Sequence, residues 1–487
     1  MSTAPNDTPT LFAGGWDRAD DNEWLAVLDP ADLRRVVARV PALTAAEINR
    51  AYDAAERGAR AWRSTDPLSR GEILITASRL LRERSESIVG DLVAEMGKTA
   101  AEATVEVRKA GDFFEYYGSM SRSASGYSLN DARPGTSTGV RFEPVGIVLA
   151  ITPWNDPLLT PARKLAPALF AGNSVLLKPA TETPLVSLHL ARALLDAGLP
   201  PETLSVVTGR GRDVSRHLLG DPRLRAVTFT GSNEVGMGIL ESLRHRNVRV
   251  QTEMGGKNAT AVLADADLEL AAHTLVSAAF AQAGQRCTAT SRLIVDRTVA
   301  RDFLERVSQR VGALKIGPGS DPQTTMGPVV NAEQQRSVLA HIAQAVEDGA
   351  SLVTGGGSPP DNQLEHGSFV QPTVLSDVTS TMPIWREEVF GPVLCMAEVD
   401  GFDEACEAVN DSSFGLASSL FTTNLRAANL FIERAETGQV AINLPTAGWD
   451  VHHPFGGFRE SGSPFKEQGT EALHFYTRTK TYAVRYE

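Results

Sequence analysis

Hydrophobic positions in the first 120 residues recur mostly at helical spacing, behind a short N-terminal segment of extended character. Thr44 and Glu47 stand three residues apart at the start of an alanine-rich run, which is the signature of a capping box at a helix N-terminus. The pattern predicts three helices, over Thr44–Trp62, Ser69–Met96 and Ala100–Ser119.

From residue 145 the pattern changes to short apolar runs that alternate with stretches of helical spacing. Strands joined by helices lie parallel in one sheet, so this pattern predicts an α/β fold. A second alternating region begins after Gly255 and extends to about residue 460. The predicted strands of the first region are VGIVLAIT (145–152), SVLLKP (174–179), LSVVTG (204–209), AVTFTGS (226–232) and RVQTEM (249–254).

Composition and charge indicate a globular protein and argue against membrane proteins and nucleic-acid-binding proteins. Apolar residues make up 42% of the 487 positions and charged residues 22%, as in a globular protein of several structural units. No apolar run is long enough to span a bilayer, and the N-terminus lacks the basic and apolar regions of a signal peptide, so we expect a cytoplasmic protein. A net charge of −12 argues against binding to nucleic acid.

One of the three cysteines stands in an unusual setting. Cys395 and Cys406 lie in apolar or helical runs and are typical of buried core cysteines. Cys287 instead follows Gly284, Gln285 and Arg286, and an adjacent arginine would favour the thiolate that a nucleophile needs. The spacing of the cysteines gives neither a disulfide framework nor a metal motif, so no metal is expected.

The predicted strands of the first region end in polar or glycine-rich segments. Because ligands bind at the carboxyl ends of parallel strands, these ends outline one crevice. The standard dinucleotide fingerprint is missing, since Gly209-Arg210-Gly211 lacks a third glycine. The turn at Ser232 could still bring helix N-terminal amides to a phosphate. The segments that outline the crevice are PWNDP, KPAT, GRG, GSNEVG and EMGGK.

Seven motifs then follow one another in a fixed order. Together they resemble the motif set of the NAD(P)-dependent aldehyde dehydrogenase superfamily, over a match that runs from about residue 10 to the C-terminus. Cys287 follows Glu253 by 34 positions (287 − 253). The motifs are PWN with Trp154 and Asn155, LLKPA with Lys178, FTGS with Ser232, EMGGK with Glu253, GQRC with Cys287, EEVFGP with Glu388, and PFGG at 454–457.

The resemblance implies three catalytic residues. Cys287 would attack the aldehyde to give a thiohemiacetal, and the Asn155 amide and the Cys287 backbone N–H would hold the oxyanion. Glu253 would activate the water that hydrolyses the thioester. Since coenzyme-A-acylating members usually lack this base, the expected product is a free acid.

The resemblance also implies a cofactor site for NADP or NAD. Trp154 and Ser232 would meet the pyrophosphate, Lys178 the adenosine ribose or a 2′-phosphate, and Glu388 the nicotinamide ribose. Thr181 stands where many NAD-preferring members carry a glutamate, so NADP should be tolerated and could be preferred, although the adjacent Glu182 could partly compensate. The remaining expected cofactor residues are Gly211, Gly231 and Phe390.

The expected substrate is an aldehyde that carries a second carboxylate. Arg163 falls where succinate semialdehyde dehydrogenases carry an arginine for the substrate carboxylate. The second arginine of that subfamily is replaced by Ala281, and Arg286 could substitute. Three segments look closest to the 2-oxoglutarate semialdehyde dehydrogenase branch, from which Trp449 and the FRESGSPF stretch depart: GQRCTATSRLIV, INLPTAGWDVHHPFGG and FKEQGTEALHFYTRTKT.

Other functions stay open at this point. A neutral or aromatic aldehyde is the alternative substrate, and His452 and His453 could touch substrate, although loop histidines are more often surface residues. A non-catalytic nucleotide-binding paralogue and a cysteine esterase are alternatives of another class. The first would give no absorbance change with any aldehyde, and the second would hydrolyse esters without a cofactor.

The resemblance implies three structural parts: a Rossmann-type NAD(P)-binding domain over 1–121 and 143–254, an α/β catalytic domain over 255–463, and a small β oligomerisation element over 122–142 and 464–487. The last strand, HFYTRTKTYAVRY, alternates in polarity and would invite aggregation if its edge stayed unpaired. Pairing across a subunit interface would solve this, so we expect a homodimer or a homotetramer.

Overall fold

The N-terminal segment of the chain forms short strands, as predicted. The computed structural model describes residues 6–19, 22–123 and 125–486, so that residues 1–5, 20, 21, 124 and 487 of the predicted domain ranges lie outside the described residues. Three of the strands pair in the order β1-β5-β4, and β2 and β3 form a hairpin. Their bounds are β1 Asn6–Asp7, β2 Thr10–Phe12, β3 Gly15–Asp17, β4 Trp24–Asp29 and β5 Asp32–Pro41.

Four helices follow, one more than predicted. The capping box of α1 is confirmed, because Thr44 Oγ1 accepts from Glu47 N at 3.3 Å and Glu47 Oε2 accepts from Thr44 N at 2.7 Å. The single helix predicted over 69–96 is wrong: Arg84 leaves helical geometry and divides it. No glycine or proline marks this break in the sequence. The helices are α1 Ala45–Ser64, α2 Pro67–Glu83, α3 Ser85–Met96 and α4 Ala100–Ser119.

The next part of the chain contains the predicted parallel sheet. Its strands lie in the order β10-β9-β8-β11-β12 and all neighbours are parallel. The order reverses between β8 and β11, and ligands bind at such a point. After strands β6 Gly126–Leu129 and β7 Thr136–Pro144 come β8 Ile147–Ile151, α5 Leu159–Phe170, β9 Ser174–Lys178, α6 Leu185–Asp196, β10 Leu204–Val206, α7 Gly211–Gly220, β11 Leu224–Thr230, α8 Asn233–Leu243 and β12 Arg249–Glu253.

The second alternating region forms a larger sheet, in the order β15-β16-β17-β14-β13-β19-β20. All its neighbours are parallel except β15, which runs antiparallel to β16. Its elements are β13 Asn258–Val262, α9 Leu268–Phe280, β14 Thr290–Asp296, α10 Ala300–Gly312, α11 Ala332–Glu347, β15 Ser351–Thr354, β16 Thr373–Ser376, α12 Pro383–Arg386, β17 Val393–Val399, α13 Gly401–Asn410, β18 Phe414–Gly415, β19 Ala417–Phe421, α14 Leu425–Arg434 and β20 Gln439–Ile442.

A third sheet joins two distant parts of the chain. The last elements are β21 Phe458–Arg459, which pairs with β18, α15 Ala472–Tyr476 and β22 Thr477–Arg485. Strand β22 pairs antiparallel with β7 along its whole length, and β6 lies on the other side of β7. One edge of the C-terminal strand is therefore already paired within the chain. The oligomeric state stays a prediction. In the described part of the chain, no helix has the length and apolar character needed to cross a membrane.

Both large sheets are covered by helices and enclose apolar cores. The core of the second sheet also holds a buried cation. Arg292 on β14 is 2% exposed and stacks on Trp385 at 5.0 Å. Its guanidinium donates to the carbonyl oxygens of Lys257, Ala408, Val409 and Asp411 at 2.9–3.1 Å. Three of these carbonyls belong to the C-terminal end of α13 and the residue after it, so Arg292 fastens that helix end to the sheet.

We expect Arg292→Met to destabilise the protein by about 3 kcal/mol or more, because it removes a donor from four carbonyl oxygens, of which Asp411 O keeps a second donor in Arg386. The apparent melting temperature of purified protein measures the loss. Arg297→Met is the matched control: its side chain is 57% exposed and pairs only with Glu398 and Asp400. Similar losses in both variants would contradict the role given to Arg292.

Candidate active site

A cavity of about 500 Å³ lies at the carboxyl ends of β8, β11 and β12. The loops after β8 and β11 and the last residue of β12 form one side, and the segment before β14 forms the other. Three of the predicted cofactor residues, Lys178, Thr181 and Gly211, are not part of its wall. The predicted site residues that it brings together are Trp154, Asn155, Arg163, Gly231, Ser232, Glu253, Arg286, Cys287, Glu388 and Phe390.

The turn before Cys287 adopts a left-handed backbone. Gln282 and Ala283 have φ of 53° and 54°, and Gly284 follows with φ of 69°. A side chain at Gly284 would collide with the Gly391 carbonyl, so only glycine fits there. The Glu102 carboxylate accepts from Gln282 N at 2.7 Å and holds the start of the turn. The sequence Ala-Gly-Gln-Arg-Cys thus serves as a tight turn that projects the cysteine into the cavity.

The carbonyl of Cys287 is fixed from the second sheet. Asn258 at the start of β13 donates from Nδ2 to Cys287 O at 2.7 Å and to Ala289 O at 2.9 Å. Its Oδ1 accepts from Ala417 N at 3.0 Å. Through these three hydrogen bonds the Asn258 amide connects the segment of Cys287 to strand β19. This leaves the cysteine little freedom to move.

The pKa of the Cys287 thiol is set by burial and by nearby charges. Burial raises this pKa to about 12, and Arg163 is the cation that lowers it most. The adjacent Arg286 lines the same cavity and donates from Nε to Gln282 Oε1 at 2.8 Å. The expectation that Arg286 favours the thiolate stays a prediction.

Asn155 lies beside the cysteine turn and is held from both ends. Its Nδ2 donates to Gln285 O at 2.9 Å, which leaves a second N–H of the amide. The backbone carbonyl of Asn155 accepts from the buried Lys98 Nζ at 2.9 Å. Lys98 also contacts Asp156 at 3.2 Å and pairs with Glu106. Glu106 in turn accepts from two backbone amides at the start of α5, 158 and 159, at 2.9 and 3.0 Å.

Glu253 at the end of β12 is a buried carboxylate without partners. It is 2% exposed, and neither of its side-chain oxygens makes a hydrogen bond to the described residues. Burial and, next, the nearby Glu467 raise its pKa well above the usual value, against the opposing effect of Lys164. A Cβ at Gly456 would press on the Glu253 carboxylate. Glycine there avoids this clash, and both carboxylate oxygens are buried behind the wall of the cavity that Glu253 lines.

Glu388 lies close to the end of β12, because Gly255 has no side chain to keep it away. Glu388 accepts from Gly256 N at 2.8 Å, and a Cβ at Gly255 would collide with the Glu388 carboxylate. Burial raises the pKa of Glu388 to about 7. The rings of Trp154 and Phe390 meet edge to face, with centroids 5.2 Å apart.

Ser232 begins helix α8. It caps the helix, with its side chain accepting from Val235 N at 3.4 Å. The first amides of this helix have no partner within the helix, so they can donate to an anion at its N-terminus.

Lys178, Thr181 and Gly211 lie further along the same edge of the first sheet. Lys178 is 5% exposed and donates to its one acceptor, Pro179 O, at 2.6 Å. Burial lowers the pKa of Lys178 to about 8, against the effect of Glu182. Thr181 Oγ1 donates to Gly209 O at 3.4 Å, which brings it to the turn before Gly211 at the start of α7. An ammonium has three donors, so Lys178 retains capacity for a ligand.

The two predicted substrate residues differ in their surroundings. Arg163 lies over the ring of Phe455 at 4.7 Å and that of Phe113 at 5.7 Å, and contacts Glu467 at 3.5 Å. Arg286 is held by Gln282. Trp449 also lines the cavity, whereas the exposed His452 and His453 are not part of its wall.

Several residues of the site were not found from the sequence. Asn258, Gln282, Lys98 and Glu467 have roles that depend on contacts between distant segments, and no local pattern marks them. Glu102 could have been noticed, because it stands three residues after Thr99 and completes a second capping box. In the described residues, no group of three or more His, Cys, Asp or Glu side chains is arranged to hold a metal.

Comparison with known proteins agrees with this geometry. The sequence profile of the "Aldehyde dehydrogenase family" matches residues 16–482. The chain belongs to the aldehyde dehydrogenase family. The predicted fold class and the predicted enzyme class are thereby confirmed.

Named members of the aldehyde dehydrogenase family resemble the chain over its whole length. The α-ketoglutarate semialdehyde dehydrogenase of Haloferax volcanii is 42% identical over 96% of this chain and 97% of its own. The 2,5-dioxopentanoate dehydrogenase of Saccharolobus solfataricus is 38% identical over 96% and 98%. The structure of Staphylococcus aureus betaine aldehyde dehydrogenase with NAD+ superposes with a TM-score of 0.96, at 29% identity over 99% and 95%.

We expect Glu253→Gln to stabilise the protein at pH 8 and to have little effect at pH 5. Because the folded pKa of Glu253 lies above its ordinary value of 4.5, its carboxyl stabilises the fold only while it is protonated. Its contribution becomes unfavourable as the pH rises through the raised folded pKa, and glutamine never takes up this charge. The apparent melting temperature of both proteins at the two pH values measures the difference.

Glu460→Gln is the control for that experiment, since Glu460 is exposed. It should shift the melting temperature equally little at both pH values. An effect of Glu253→Gln that is the same at pH 5 and pH 8 would contradict the burial of an unpaired carboxyl.

Proposed function

We propose that this enzyme oxidises an ω-carboxy semialdehyde, either 2-oxoglutarate semialdehyde or succinate semialdehyde, to the free acid with NADP+ or NAD+. The observation that carries the proposal is Arg163, which lies in the wall of the same cavity as Cys287, Glu253 and Asn155. The names of the Haloferax and Saccharolobus relatives support the same substrate class.

Cys287 acts as the nucleophile. Its thiol loses a proton and its sulfur bonds to the aldehyde carbon, which gives a thiohemiacetal. The second N–H of the Asn155 amide and the Cys287 backbone N–H donate to the developing oxyanion, and one such donor is typically worth ~3 kcal/mol. The hydrogen bond that Asn258 donates to the Cys287 carbonyl and the one that Gln282 accepts from Arg286 support this role, because they fix the turn on which the sulfur is carried.

Glu253 acts as the general base. A water molecule beside its carboxylate loses a proton to it and attacks the thioester carbon, which releases the acid and restores the thiol. The raised pKa of Glu253 suits this task, since a base is most effective when its pKa lies near the working pH. The position of Glu253 in the wall of the same cavity as Cys287 supports this role.

The residues around the cavity fit a dinucleotide. Glu388 and the glycine pair Gly255 and Gly256 would hold the nicotinamide ribose, the amides after Ser232 the pyrophosphate, and Lys178 the adenosine ribose. When bound, the cofactor supplies the acceptor for the hydride of the aldehyde carbon. The orphaned donors of Lys178 support this assignment, because a buried ammonium needs more than one acceptor. Gly211, Gly231, Trp154 and Phe390 complete the proposed cofactor set.

We propose the domain division of the family for this chain: cofactor binding over 1–121 and 143–254, catalysis over 255–463, and oligomerisation over 122–142 and 464–487. The separate sheets at 147–253 and 258–442 support it. Exposed Tyr127 and Leu129 on β6 and Val484 on β22 support a subunit interface on the third sheet. A homodimer or homotetramer in the cytoplasm is the proposed state.

We expect kcat/KM for 2-oxoglutarate semialdehyde or succinate semialdehyde to exceed that for a neutral alkanal or benzaldehyde at least tenfold, or ~1.4 kcal/mol. The physical reason is the pairing of the distal carboxylate with Arg163. Absorbance at 340 nm with NAD+ and with NADP+ measures the rates. Cys287→Ser should abolish oxidation and leave cofactor binding intact.

Equal or faster turnover of neutral aldehydes would overturn the substrate assignment and keep the enzyme class. No turnover of any aldehyde would contradict the catalytic role of Cys287 and favour a non-catalytic nucleotide-binding protein.

We expect Thr181→Glu to raise KM for NADP+ tenfold or more and to change KM for NAD+ far less. A carboxylate at this position, beside the turn at Gly209, would repel a 2′-phosphate. Steady-state kinetics with both cofactors measure the change. Thr104→Glu, at an exposed position outside the cavity wall, is the control. An equal loss with both cofactors would show that position 181 does not distinguish them.

A further inference from the structure

One face of helix α4 forms part of the cavity wall. Its contributing residues follow the spacing i, i+3, i+4, i+7 and i+11 of a single helix face, and the last of them is Phe113. Helix α5 contributes Arg163, whose guanidinium lies 5.7 Å from the centroid of the Phe113 ring. The wall residues of α4 are Glu102, Val105, Glu106, Lys109 and Phe113.

Three cations line this cavity, and two of them have protein partners. Arg163 contacts Glu467 at 3.5 Å. Arg286 donates to Gln282 at 2.8 Å. Lys109 makes no ion pair or hydrogen bond with any residue that the structure describes, although it is half-buried in the wall. Lys109 is thus the wall cation whose charge is left for a ligand.

No acidic side chain of the described residues forms an ion pair with Lys109. Burial lowers its pKa, Asp450 opposes this, and Arg163, Arg286 and Arg108 act in the same direction as burial. The Asp450 carboxylate is exposed, accepts from its neighbour's backbone amide at 2.8 Å and lies 3.6 Å from His452. A half-buried ammonium among other cations is unfavourable until an anion enters.

We propose that Lys109 binds the distal carboxylate of the aldehyde substrate and, together with Arg163, determines the preference for ω-carboxy aldehydes. This inference rests on the proposed function. Two cations on neighbouring helices that line one cavity can both pair with a carboxylate, which orients the aldehyde end toward Cys287. The contact with Glu467 partly neutralises the charge of Arg163. Lys109 supplies a second positive charge for the substrate carboxylate.

The test is Lys109→Met, which keeps the apolar stem and removes the charge. We expect the ratio of kcat/KM for succinate semialdehyde over butanal to fall at least tenfold, mainly through a higher KM for the semialdehyde. Lys109→Arg should restore most of the ratio. Arg108→Met is the matched control: it removes a cation from the adjacent, exposed position and should keep the ratio.

A second readout does not depend on turnover. Glutarate, a dicarboxylate that cannot be oxidised at this site, should slow the alkylation of Cys287 by iodoacetamide in the wild-type protein, and at least tenfold more glutarate should be needed in Lys109→Met. Thermal unfolding of the variant checks that it is folded.

The outcomes separate this inference from the proposed function. If the wild-type enzyme itself shows no preference for the semialdehyde, the proposed function fails. The wild-type enzyme can prefer the semialdehyde while Lys109→Met and Arg108→Met either change this preference equally or leave it unchanged. In both cases Lys109 does not bind the distal carboxylate, and the proposed function stands. A loss that Lys109→Arg does not restore would also overturn the role of the charge.

Discussion

The site depends on one strained turn between the two large sheets. Gln282 and Ala283 adopt left-handed backbone conformations that cost about 1–3 kcal/mol each for residues with a side chain. The cost is met by packing, because Gly284 lies directly against the Gly391 carbonyl and Glu102 accepts from the Gln282 amide at 2.7 Å. The turn carries Cys287, so the position of its sulfur is set by contacts from several segments at once.

Buried charge is distributed unevenly around that turn. Lys98 pairs with Glu106 and Asp156, and Lys164 pairs with Glu467, so these buried ions are compensated. Two of these ions position backbone segments of the site. Lys98 fixes the backbone of residue 155, and Glu106 fixes the start of α5. Glu253 is the exception, since its carboxylate has neither a donor nor a direct ion pair among the described residues. Stability and function oppose each other at Glu253. Its burial raises the pKa of the carboxyl, which suits a base, but burial also makes the ionised carboxylate unfavourable for the fold.

Cationic and acidic side chains both line the cavity. The protein carries a net charge of −12, and Arg163, Arg286 and Lys109 reach the cavity where Cys287 lies. Acidic residues also belong to this wall, so attraction of a substrate carboxylate depends on the positions of these three cations and not on the net charge of the wall. Aromatic rings at Phe113 and Phe455 surround Arg163 and limit the water that would screen it.

The sequence by itself determined the helix starts, the parallel sheet and the residue types of the site, because capping, hydrophobic period and ordered motifs are local properties. It did not determine the break at Arg84 or the state of the Cys287 thiol. Both helices beside the break, α2 and α3, pack against α4, and burial raises the pKa of the thiol while Arg163 lowers it. Asn258 and Lys98 escaped sequence reasoning for the same reason, since a hydrogen bond or a field between segments far apart in the chain exists only once tertiary structure brings them together.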